Sequence, residues 1–182
     1  MSEDYTKVKS HNAKLKEILA TAIADRFRTG SPVDDHFKNA DLKMAPWISE
    51  RSDERKLIKY VGQPYWTKAA IEHYKQHRTK GLRHEHAVPR KLIIKLLEEC
   101  DKSKEAIYSI LDNLVHAVIV TKEEAALLDQ KYKATTPQEI TISNEINNIF
   151  SRYIAVNIKV YYLKNGNPKV DKIQVDIFSS IK

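Results

Sequence analysis

The chain has a single cysteine, Cys100, and only 4 glycines and 6 prolines among its 182 residues. One cysteine excludes an intramolecular disulfide and any zinc knuckle built from cysteine pairs, and it fits a reducing compartment. There is no Gly-rich phosphate loop, no serine nucleophile elbow and no internal repeat, so kinase-like and elbow-hydrolase chemistry lack support. No apolar run approaches the length of a membrane-spanning helix, and the N-terminus Met1-Ser2-Glu3-Asp4-Tyr5 is polar. The expectation is a soluble, cytoplasmic protein with no membrane partner.

Acidic residues are also in deficit. Asp plus Glu number 24 against 31 Lys plus Arg, a formal net charge of +7 and a pI of about 9.3. The surplus is concentrated: Lys75, Arg78, Lys80, Arg83, Arg90, Lys91 and Lys95 face the single acid Glu85 within one short segment. Such a cluster attracts phosphate backbones through counterion release and charge-assisted hydrogen bonds, whereas an ordinary charge run only keeps a helix face solvated. A hydrophobic content of 42% is enough to bury one real core, so one domain is the default.

Within the basic segment lies Gly81-Leu82-Arg83-His84-Glu85-His86-Ala87-Val88-Pro89-Arg90-Lys91, the densest concentration of chemistry in the sequence. Imidazole accepts a proton near neutral pH and carboxylate holds a hard cation, so Glu85 and His86 at a strand end could activate water beside a phosphate. A plainer reading is open too. His84 and His86 alternate around Glu85, share one face of a strand, and would serve there as hydrogen-bonded surface groups.

Along the chain, Ser10 or Asn12 offers a cap for a helix carrying Leu15, Ile18, Leu19, Ala22, Ile23 and Phe27, ended by Gly30-Ser31-Pro32. A polar segment from Val33 to Pro46 and a charged helical stretch from Glu50 to Val61 follow. The pattern predicts another helix starting at Tyr65-Trp66-Thr67 and running through Tyr74, whose aromatics are core or, less commonly, base-stacking platforms. Helices are predicted over Arg90 to Cys100 and Ser103 to Leu111, then a buried strand over Leu114 to Val120 and a helix capped by Thr121. Ser143 or Asn144 caps a short helix through Ile146, Ile149 and Phe150. Tyr153 to Leu163 and Val170 to Phe178, around Lys164-Asn165-Gly166-Asn167-Pro168, predict a β-hairpin.

A strand ending in Glu-His, an Asn before a second strand and a helix directly after it resemble the HNH endonucleases of the His-metal finger, or ββα-metal, superfamily, over roughly Leu82 to Tyr132. The resemblance implies His86 as general base, Asn113 as the residue orienting it and Glu85 as a ligand to one divalent metal, Mg²⁺ or Mn²⁺. For the helix ligand only Glu123 or Glu124 is available, with Glu124 favoured because Glu123 is better placed to cap back toward Thr121 or to meet the helix dipole. The chain departs from the family's pattern in three ways: Ala125 and Ala126 stand where a helix His would be easiest to accept, helices are inserted between His86 and Asn113, and no cysteine pairs brace the finger.

The sequence therefore leads us to expect a single, mostly helical α+β domain. It divides into a helical part over 1–80, an HNH-like region over 81–134, and a short helix with hairpin over 135–182. The expected function is metal-dependent endonuclease action on nucleic acid, DNA before RNA, with Lys80, Arg83, Arg90 and Lys91 on flanking phosphates. The competing expectation is a non-catalytic nucleic-acid-binding or partner-blocking protein that keeps the finger's fold without its metal.

Overall fold

The computed structural model describes residues 2–31, 33, 60, 62–77, 79–139, 146–164, 166–169, 171 and 175–176. Helix α1 (Ser2–Thr29) continues through Ser10 and Asn12, the expected caps, to an earlier start. It ends as anticipated at Gly30: the Gly30 and Ser31 amides donate to the Phe27 and Arg26 carbonyls, a Schellman closure. Leu19, Ala20 and Ile23 are buried against α4 (Lys104–Leu114), and ion pairs Lys16–Asp112 at 2.8 Å and Lys104–Glu17 at 3.0 Å flank that seam.

The remaining elements are β1 (Tyr65–Thr67), α2 (Lys68–His77), β2 (Leu82–His86), α3 (Arg90–Glu99), β3 (Ala117–Thr121), α5 (Lys122–Tyr132), α6 (Ile146–Ile149), α7 (Ser151–Ala155), β4 (Val160–Tyr162) and β5 (Val175–Asp176). They form one α+β domain around a mixed sheet of order β2-β3-β1-β4-β5, in which only β1 and β3 run parallel. The larger core, with Ile23, Ile93, Leu97, Ile110, Leu111, Val118, Val120, Leu128 and Phe150, fills one face. A smaller one, Trp66, Ala70, Ile71, Tyr74, Leu82, Ile119 and Leu163, lies under α2 on the other.

Tyr65-Trp66-Thr67 is a strand, not the start of a helix. Three residues are too few to show an alternating pattern, and the strand owes its place to neighbours on both sides, Val118 and Ile119 of β3 and Val160 to Tyr162 of β4. Its aromatics are core: Tyr65 packs on Phe150 and Tyr162, and Trp66 meets Tyr74 edge-on while its indole N–H donates to the Gln63 carbonyl at 2.7 Å. The second predicted strand begins later than expected, because α4 keeps its helical hydrogen bonds through Leu114.

The hairpin exists, with Tyr161 opposite Asp176 and Tyr162 opposite Val175, but Tyr153 belongs to α7. Phe150 and Tyr153 are buried three residues apart, a helical spacing, and the turn at Asn157 with φ 56° precedes the strand. Gly166 at φ 61° closes the loop so tightly that a β-carbon there would lie 2.4 Å from the Gly62 carbonyl carbon. The expected helix over Glu50 to Val61, Tyr60 apart, and the polar segment from Val33 to Pro46, Val33 apart, lie outside the described residues.

Candidate functional site

Strands β2 and β3 are antiparallel, with Leu82 opposite Thr121 and His86 opposite Ala117, and α5 packs across both. A ββα unit with α3 and α4 inserted between its strands is therefore present. What decides its chemistry is where each side chain points.

Neighbouring residues on a strand face opposite sides of the sheet. Leu82 lies in the smaller core, so His84 and His86 follow it to that side, while Glu85 faces the larger core. There its carboxylate meets Arg152 of α7, Nη2 to Oε1 at 3.0 Å, the two side chains 1% and 22% exposed for Arg152 and Glu85 respectively. The same guanidinium donates to the carbonyls of Tyr132 at 2.8 Å, Ala87 at 3.3 Å and His86. Arg152 thus finds four acceptors, which offsets the cost of burying its charge. Beside it, burial, reinforced by Glu85 and Glu124, holds the Tyr153 hydroxyl well above the ordinary phenol range, so it stays protonated.

The helix carboxylates are elsewhere. Antiparallel register puts the start of α5 by Leu82, about 10–13 Å of strand from Glu85 and His86. Glu124, the expected metal ligand, is the capping residue: its Oε2 accepts from the Thr121 amide at 2.9 Å, and Thr121 Oγ1 accepts from the Glu124 amide at 3.2 Å. It also accepts from the Thr67 hydroxyl at 2.6 Å, and Thr67 in turn accepts from the Ala70 amide in the first turn of α2 at 3.1 Å. One carboxylate therefore serves the positive ends of two helices, a place that favours an anion and disfavours a bound cation. Burial nonetheless raises the Glu124 pKa, outweighing these hydrogen bonds. Glu123 is exposed and reaches back to Thr121 as expected, its carboxyl held below the usual range by its own backbone amide and the Thr121 hydroxyl.

Asn113 sits in the last turn of α4, exposed, with its amide donating to Ser109 Oγ at 3.2 Å. Its main-chain carbonyl accepts from His116, not His86; burial and the nearby Lys16 lower the His116 pKa from 6.5 to about 4, so that imidazole is neutral at pH 7. Among the described residues no group of three or more His, Cys, Asp or Glu side chains converges to hold a metal ion. The expected set of Glu85, His86, Asn113 and a helix acid is thus divided between two faces and two ends of the sheet.

The basic residues fare differently. β2 is an outer strand of the sheet; Lys75 and Lys80 precede it, Arg83 lies within it, and Arg90 and Lys91 open α3 just after it. Lys75, Lys80, Arg83 and Lys91 are exposed, and none of the five makes an ion pair among the described residues.

Sequence reasoning missed Arg152. The only signal was a lone cation between buried apolar positions, Ile149 and Phe150 before it and Tyr153 after it. The chain matches no known family model, and no curated protein or solved structure shows significant similarity to it. No helix among the described residues is long and apolar enough to cross a membrane.

Proposed function

We propose that this chain is a nucleic-acid-binding protein that grips the phosphate backbone along the β2 edge, DNA before RNA, with the ββα unit as scaffold. The observation that carries this reading is the group of cations Lys75, Lys80, Arg83, Arg90 and Lys91, within outer strand β2 and on either side of it in the chain, without carboxylate partners among the described residues. Unpaired surface cations repel one another unless something anionic is brought to them, and a polyphosphate strand meets several at once. The nearby aromatics Tyr65, Trp66 and Tyr74 pack internally and offer the bases no stacking platform. Contact is therefore with backbone and is largely indifferent to sequence.

The ββα order supports the endonuclease reading, but Glu85 neutralises Arg152 and Glu124 caps two helices, so neither carboxylate is available to hold a metal beside His86. The test is fluorescence anisotropy with unrelated duplex and RNA oligonucleotides across a salt series, for wild type and for the Lys80, Arg83, Arg90, Lys91→Ala variant. Wild type should bind with a steep salt dependence. The variant should bind all sequences more weakly alike, its slope shallower by up to about 0.9 for each phosphate it no longer neutralises. An unchanged slope sinks the proposal. Cleavage in Mn²⁺ that disappears in His86→Ala would return the function to a nuclease.

A further inference from the structure

Two histidines that the site above does not use stand one turn apart on α2. His73 and His77 are at i and i+4, neighbours on one face of the helix, with ring centroids 4.9 Å apart and planes inclined by 52°. Two imidazoles sharing one metal through bonds of about 2.1 Å, opened at about 90–110°, have centroids roughly 4.6–5.3 Å apart. The rings are thus already spaced as a chelating pair, without being stacked on each other.

His73 is also held in place. Its Nε2 contacts the Lys80 main-chain carbonyl, and the ring lies against Gly81, where a β-carbon would come within 2.9 Å of Nε2. A carbonyl partner makes Nε2 the protonated nitrogen and leaves the lone pair on Nδ1, the arrangement by which histidine ligands are commonly fixed from their far side. His77 is exposed, and remaining coordination positions would be open to water. The carboxylate of Glu123 is close enough to interact electrostatically with His73 and supplies negative charge nearby.

We infer that His73 and His77 form a surface site for a borderline divalent transition metal, Zn²⁺, Ni²⁺ or Cu²⁺. The basic setting of Lys75 and Lys80 disfavours Mg²⁺ and Ca²⁺, which need oxygen donors and accumulated negative charge; imidazole binds the later transition metals through its lone pair. The inference does not rest on phosphate binding, so its test omits nucleic acid.

The experiment is a calorimetric titration of the full chain with Zn²⁺ in a non-chelating buffer, repeated with His77→Ala and His73→Ala. Wild type should bind one ion, and each variant should lose affinity at least about tenfold, as a chelate reduced to one ligand does. Because His77 is exposed, His77→Ala should melt as wild type does without metal, which separates loss of the site from loss of the fold. Cu²⁺ paramagnetic resonance should show two imidazole nitrogens in wild type and one in His77→Ala. Equal Zn²⁺ affinity in wild type and His77→Ala would assign the ion to other histidines and overturn the inference, as would no binding at about 100 µM Zn²⁺.

Discussion

On the inner side of β2, buried Arg152 and half-buried Glu85 are matched to each other, whereas Lys80, Arg83 and Lys91 stand in solvent with no carboxylate among the described residues opposite them. The two groups are close in space yet physically unlike. A buried ion must be satisfied by the fold itself, so it reports architecture; an exposed, unpaired one costs the fold little, so it is free to meet a partner. The same contrast separates His116, half-buried and neutral, from the exposed edge of the His73–His77 pair.

The sharpest way to break this contrast is Arg152→Ala. It leaves Glu85 and three main-chain carbonyls without their donor and should cost about 3–5 kcal/mol in urea unfolding. Combining it with Glu85→Gln should recover part of that loss, since no unpaired charge then remains. A single variant that melts like wild type would mean the inner side is no more architectural than the outer.

The imidazoles come next. Because His116 is depressed to about 4 in the fold against 6.5 ordinarily, the unfolded chain takes the proton first as pH falls. Its contribution is complete above pH 6.5 and is lost on the way down to pH 4, about 1–3 kcal/mol, and His116→Phe should flatten that branch of the stability curve. Glu124 works with the opposite sign. Its raised pKa means the native state holds the proton more tightly, a contribution present at acid pH and lost as pH climbs past that value; Glu124→Gln should remove this slope. Glu124→Ala, which deletes the double cap, should cost about 1–2 kcal/mol by thermal melting.

The smallest effect on stability belongs to the exposed cations. Each of Lys80→Ala, Arg83→Ala and Lys91→Ala should change it by less than about 0.5 kcal/mol while weakening nucleic-acid binding. Losses of stability as large as Arg152→Ala produces would show that these cations are structural after all.

The sequence made the helices legible wherever a cap or a local period announced them: the start of α5 at Thr121, the start of α4 at Ser103 and the end of α1 at Gly30 all follow from neighbouring residues. β2 was legible too. The central strand β1 was not, because three residues held by partners on both sides carry no period of their own. At the site, residue types were legible but directions were not. Alternation along β2 separates His86 from Glu85, and the partner that claims Glu85 comes from α7, far along the chain. Glu123 reaches back to Thr121 as expected, but Glu124 proves to be a capping residue too, and Thr67 draws its carboxylate inward from another strand.

Arg152 also dictates an order of assembly. It joins segments 65 to 67 residues earlier in the chain, which must wait for their partner until α7 has been made. While the chain is being made, α3 and α4, neighbours in sequence, can pack as soon as both have emerged and α1 can join α4 across 87 to 96 residues, but the end of β2 keeps its carbonyls bare and β1 keeps one edge open. Both are completed only when the segment bearing Arg152 and Val160 emerges, so the helices gather first and the sheet is locked last.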